Sequence, residues 1–155
     1  MKILTLSELN QQRHGVLAHG AFDLLHLGHI RHLLWARSLM PSGPLIVTIT
    51  ADQHIKKGPG RPVFTASERA ECVAALECVD WVAIVDAPTA LPAIEAAHPA
   101  IYVKGGEYWN AAGVMDDERR AVEGLGGRVE FMPARDHGYS STYILSGELF
   151  KERSK

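Results

Sequence analysis

The sequence predicts an α/β chain: a doubly wound, five-stranded parallel sheet in a single domain. Three observations point to it. Short apolar runs alternate with segments of helical period along the whole chain. Successive runs are joined as strand, helix, strand, which makes the strands parallel. At 155 residues, 46% of them hydrophobic, the chain can bury one core and has no room for a second domain. The boundaries expected are 1–14 as an N-terminal appendage and 15–155 as the domain proper.

The elements follow in order. Thr5-Leu6-Ser7-Glu8-Leu9 can start a short helix, and the appendage reads as a lid or a dimer-facing piece. Gly15–Ala18 is the first strand, broken by His19-Gly20. A helix begins within Asp23–Leu27 and runs to about Met40, where Pro41-Ser42-Gly43-Pro44 ends it. Leu45–Thr50, rich in β-branched residues, is the second strand. The polar loop Ala51–Pro62 follows, and then Thr65-Ala66-Ser67-Glu68 has the form of a capping box opening the next helix. Asp80–Val85 is the third strand, and Ala87–His98 a helix that tolerates Pro92 only near its start. Pro99–Val103 is the fourth strand. Trp109–Gly124 holds an exposed helix whose run Asp116–Arg120 reads as a solvated face. Arg128–Met132 is the fifth strand, and Tyr143–Lys151 the last helix.

The most informative stretch joins the first strand to the first long helix, Gly20–His29. If the helix starts there, His26 and His29 sit three apart on its first turn, with Gly28 leaving the backbone open to close approach. First-turn N–H groups and the positive end of the helix dipole favour an anion, and two imidazoles add donors that can follow a phosphate as its charge redistributes. A metal cluster on His19, His26, His29 and His32 is the competing reading, but no Cys or carboxylate pattern of a zinc site accompanies them. His32, almost two turns on from His26, reads as a partly exposed helix histidine.

Gly20–His29, with its HxGH, resembles the signature of the HxGH nucleotidyltransferase superfamily, which is cytidylyltransferase-like. Gly58–Arg69, Leu76–Val82, Val103–Tyr108 and Arg135–Thr142 recur in the order expected of its sugar-phosphate branch, and the five motifs span Leu17 to about Leu149. The nearest type is the heptose 1-phosphate adenylyltransferase of ADP-heptose synthesis. The resemblance implies a Rossmann-like nucleotidyltransferase domain over 15–155, and transfer of NMP from an NTP, ATP favoured, to a phosphorylated sugar, with Mg²⁺ accompanying the NTP. A CTP-dependent enzyme acting on glycerol 3-phosphate or another phosphorylated polyol is the alternative, and a non-catalytic nucleotide-binding module the alternative of another class.

The resemblance also implies site residues. His26, His29 and Lys57 would be catalytic, the histidines at the α-phosphate and Lys57 on the triphosphate. Gly20, Ala21, Phe22, Asp23, Gly28, Arg61, Arg69, Lys104, Gly105, Gly106, Ser140, Ser141 and Thr142 would bind the nucleotide. Glu107, Tyr108 and Arg135 would bind the second substrate. No protein metal ligands are implied. The chain departs from the heptose type where His19 replaces the usual Asn, where Glu107 replaces Asp, and where Tyr139 stands for Ile or Cys.

Composition narrows the partners. A net charge of −2 with 22% charged residues gives no basic excess for nucleic acid. No apolar run is long enough to span a membrane, and the first residues are too polar for a signal peptide. Cys72 and Cys78, six apart in a helical segment, would be held about 9 Å apart, too far to bridge. Free thiols point to a reducing, cytoplasmic setting. The family resemblance implies a homodimer.

Overall fold

The computed structural model describes residues 2–12, 14–106, 113–133 and 139–147. Its strands are β1 (Ile3–Leu4), β2 (Val16–Gly20), β3 (Leu45–Thr50), β4 (Trp81–Val85), β5 (Ile101–Lys104) and β6 (Arg128–Phe131). Its α-helices are α1 (Leu6–Leu9), α2 (Leu27–Leu39), α3 (Ala66–Ala74), α4 (Leu91–Ala97), α5 (Val114–Gly124) and α6 (Ser141–Leu145). The strands form one parallel sheet in the order β1-β4-β3-β2-β5-β6.

Among the described residues the sheet therefore has six strands, not five. The added strand comes from the segment read as an appendage: Ile3 and Leu4 pair with Val82 and Ala83 of β4. Two residues are too few to show a period of two, so this pairing is fixed by the neighbouring strand and not by a local pattern. The Thr5–Glu8 capping box then starts α1, which buries Leu9 completely.

Alternation along the strands feeds two cores. On one face, Val16 and Ala18 of β2 and Leu45, Val47 and Ile49 of β3 pack with Leu33 and Ala36 of α2 and Ala70 and Val73 of α3. On the other, Leu17 and Ile46 pack with Leu9, Ala93, Ile94, Ala97 and Val122 from α1, α4 and α5. Helices on both faces explain why β3 reads as a continuous apolar run instead of an alternating one.

α2 begins at Leu27, inside the range expected, while α4 begins at Leu91, later than the expected Ala87, with Pro92 in its first turn, where a missing N–H costs nothing. α5 departs more. Glu118, in the middle of the supposed solvated face, is 2% exposed. The end of the last helix, to Lys151, falls outside the described residues. Cys72 and Cys78 are both unbridged. No helix among the described residues is long and apolar enough to cross a membrane.

Chain order makes the site. The path β2, β3, β4 builds outward in one direction, and β5 then returns to the opposite side of β2. A crevice opens at the carboxyl ends of strands where the winding reverses, here between Gly20 and Lys104.

Candidate active site

A cleft of about 570 Å³ occupies that crevice. Such a volume suits a substrate of nucleotide size. The turn out of β2 shapes its floor. Phe22 takes a left-handed backbone, φ 51°, and is buried with its ring 5.1 Å from that of His29. A left-handed aromatic residue costs about 1–2 kcal/mol, which the surrounding loop must hold in place.

The loop is held by charge. The Asp23 carboxylate, fully buried, accepts from Arg61 Nε at 2.7 Å and from the N–H groups of Val63 and Phe64 at 2.9 to 3.0 Å. Burial pushes its pKa up, but the Phe64 and Val63 N–H bonds and the Arg61 guanidinium outweigh that and hold it below the usual carboxylate range. Arg61 also donates to the Asp23 carbonyl at 2.7 Å and to Ser141 Oγ at 3.0 Å, tying the first loop to the last helix. Arg69, 1% exposed, donates to the carbonyls of Phe64, Ala21 and Thr50 and to the Asp52 carboxylate. Its guanidinium fastens the turn after β2 to the end of β3 from behind, and lies outside the cleft wall. Asp23 and Arg61 likewise sit beneath the surface expected to meet a nucleotide.

α2 starts with a reciprocal cap made of histidines. His26 is the N-cap, and its Nδ1 accepts from Gly28 N–H at 3.1 Å, while His29 Nδ1 accepts from His26 N–H at 3.4 Å. A neutral ring that accepts at Nδ1 carries its proton on Nε2, so His26 offers a donor, whereas the single N–H of a neutral His29 ring also meets the Leu24 carbonyl. The rings stack with centroids 3.8 Å apart. Gly28 is needed there: a Cβ would lie 2.9 Å from His26 Cε1 and 3.0 Å from Tyr139 Cβ. It is the protein's own side chains that approach the Gly28 backbone closely.

The cleft keeps these rings neutral. Burial lowers the His29 pKa to about 3, helped by the neighbouring charges of His26, Lys57 and His32 and opposed by the Leu24 carbonyl. Burial, and then Lys57, lowers that of His26. Burial lowers that of Lys57 too, with Arg61 adding and Asp23 opposing. His19 is pushed down to about 3 by burial and then by Lys104, and its two ring nitrogens meet Thr48 Oγ1 at 2.9 Å and Thr50 Oγ1 at 3.2 Å.

Of the residues expected to form the site, Gly20, Ala21, Phe22, His26, Gly28, His29, Lys57, Lys104, Gly105, Gly106, Ser140, Ser141 and Thr142 line this one cleft. Glu107, Tyr108 and Arg135 lie outside the described residues. His19, Arg31, His32, Thr50 and Tyr139 line it as well. Helical spacing could have found Arg31 and His32, which stand three residues on from Gly28 and His29. Nothing local signals Thr50, which reaches the cleft only because β3 lies beside β2. Among the described residues no group of three His, Cys, Asp or Glu side chains is placed to hold a metal ion.

Comparison with known proteins gives a consistent result. A cytidylyltransferase-like family model matches residues 17–147. The bifunctional protein HldE of Geobacter sulfurreducens is 41% identical over 141 residues, 90% of this chain and 28% of that protein, so the chain spans little more than a quarter of that relative. The structure of a lipopolysaccharide core biosynthesis protein from Thermoplasma volcanium superposes with TM-score 0.65 at 24% identity, over 79% of this chain and 98% of that one. A pantothenate synthetase from Thermus thermophilus superposes with TM-score 0.63 at 22% identity, over 98% of this chain and 70% of that one. At these identities the two structures speak for the fold.

Proposed function

The chain belongs to the cytidylyltransferase-like family, and we propose that it transfers a nucleoside monophosphate from an NTP, ATP favoured, to a phosphorylated sugar. One observation carries the reading: the two neutral stacked histidines, Lys57 and the residues Ser140–Thr142 surround a single cleft at the switch point of the sheet. The order of the five motifs and the resemblance of Val103–Tyr108 to the heptose type favour the sugar phosphate and adenine.

In this mechanism the acceptor's phosphate, largely ionised at neutral pH, needs no protein base. One of its oxygens bonds to the α-phosphorus of the NTP as the bond from that phosphorus to the α,β-bridging oxygen breaks. Pyrophosphate leaves with the electron pair. The Nε2–H of His26 and the imidazole of His29 stabilise the α-phosphate oxygens as charge moves across them, and Lys57 with Ser140–Thr142 holds the β- and γ-phosphates. Asp23, Arg61 and Arg69 keep the loops that carry these groups in place. Mg²⁺ fits as a companion of the triphosphate, whose oxygens suit it, more than as a guest of the protein's side chains.

The test is pyrophosphate release by purified protein with Mg²⁺, crossing ATP and CTP with heptose 1-phosphate and glycerol 3-phosphate. Turnover with ATP and the heptose is expected. Turnover with CTP alone would move the assignment to the polyol-phosphate alternative, and nucleotide binding without turnover in any combination would leave a binding module.

A further inference from the structure

Glu118 is out of place in its own sequence neighbourhood. It sits in a run of charges on α5, between the exposed Asp117 and Arg120, yet is almost wholly buried. A carboxylate taken out of water must be held by partners. Its Oε1 accepts from Ala90 N–H at 2.9 Å, at the start of α4, where the N-cap residue, an alanine, has no polar side chain to cap the helix. Its Oε2 accepts from Tyr102 Oη at 2.9 Å and lies 3.4 Å from Lys104 Nζ. The same ammonium stands 5.3 Å from the centroid of the Tyr102 ring. Lys104, at the carboxyl end of β5 and on the cleft wall, is thus boxed by a ring and by a carboxylate that is itself anchored at both oxygens. Lys57 differs. Among the described residues no carboxylate pairs with it, and the acidic group that influences it, Asp23, is already bound to Arg61, Val63 and Phe64.

We propose that Glu118 is a positioning and specificity-determining residue: it fixes Lys104 and offsets its charge, so that this end of the cleft accepts an uncharged, hydrogen-bonding part of a substrate and leaves phosphate to the Lys57 end. The proposal rests on reading the cleft as a nucleotidyl-transfer site. A lysine without its counter-charge would form a second anion subsite in the same crevice and would compete for the triphosphate. Glu118 removes that competitor while leaving Lys104 able to donate.

Titration of inorganic pyrophosphate into the intact chain tests this without requiring turnover. Glu118→Gln keeps the shape and an acceptor for Ala90 but removes the charge, and is expected to bind pyrophosphate about three- to tenfold more tightly than wild type. The gain should vanish in the double variant Lys104→Met/Glu118→Gln and largely revert in Glu118→Asp, which restores the charge. A purely structural role would shift the melting temperature and give no gain. Unchanged or weaker binding by a folded Glu118→Gln protein, or a gain that survives removal of Lys104, overturns the proposal. If Glu118→Gln does not fold, single variants decide: Lys57→Met should weaken pyrophosphate binding about fivefold more than Lys104→Met, and equal losses overturn it. The gain without pyrophosphate release in the transfer assay would sink the nucleotidyl-transfer reading alone, and turnover without the gain would sink this proposal alone.

Discussion

Two layers of polar residues lie a few ångströms apart and are treated in opposite ways. Beneath the cleft floor, Asp23, Arg61 and Arg69 are paired with one another's loops through carboxylates, carbonyls, N–H groups and the Ser141 hydroxyl. On the cleft wall, His19, His26, His29 and Lys57 have their charged forms disfavoured by burial. The lower layer carries permanent charge because its geometry must not change. In the upper layer burial weighs against the charged forms, so a bound anion would favour them.

The comparison is most exposed to failure at Arg69. Arg69→Met leaves three carbonyls and Asp52 without their donor, and is expected to cost about 3–5 kcal/mol of unfolding free energy. Chemical denaturation measures it, and the loss of activity should track the unfolded fraction. A stable Arg69→Met protein with lost nucleotide affinity would place Arg69 in the upper layer instead.

His29→Ala is the matching test of the wall. Losing one aimed donor should lower kcat about 10²- to 10³-fold while the protein stays folded by circular dichroism. Near-normal turnover would refute the role given to the histidines.

Gly28→Ala sharpens the contrast inside one turn. The new methyl meets the His26 ring and Tyr139, and the ring is the group able to give way. A loss of about tenfold in kcat/KM is expected with about 1 kcal/mol of stability, the reverse of the Arg69 balance. Equal turnover by the Gly28→Ala enzyme would mean that the ring position is not tightly required.

The pH dependence tests the wall as a whole. His19 and His29 titrate near 3 in the fold against about 6.5 when unfolded. The unfolded chain therefore takes up protons first as pH falls. Their contribution to stability is fully present above pH 6.5 and is lost progressively toward pH 3. Urea midpoints across that window measure it. Triphosphate binding near pH 6 should be accompanied by proton uptake, seen as a buffer-dependent heat. A pH-independent midpoint and buffer-independent heat would show the wall to be charged from the outset.

Legibility from sequence followed the distance over which each feature is determined. The HxGH turn could be read because a strand end, a glycine and a helical period are adjacent, and Pro92 marked its own place in the first turn of α4. Arg69 could be located but not understood: its partners Ala21 and Thr50 are distant in sequence, and only the parallel pairing of β2 and β3 brings them to it. Glu118 was hidden for the same reason, since Ala90 and Tyr102 are far from it along the chain and its immediate neighbours are charged. β1 escaped because two residues carry no period.

That short strand has a consequence for how copies of the chain behave in a crowded solution. β4 is Trp-Val-Ala-Ile-Val, an uncharged run of high β-propensity, and Ile84 is already partly open to solvent. β1 covers its outer side, with Val82 N–H donating to the Lys2 carbonyl at 2.8 Å and Lys2 Nζ reaching the Leu76 carbonyl at 2.9 Å. What remains as the sheet's rim on that side is only two residues long. The first few residues thus act as a guard against self-templated aggregation, and a chain trimmed of residues 1–4 should turn turbid on warming well before its catalytic machinery is disturbed.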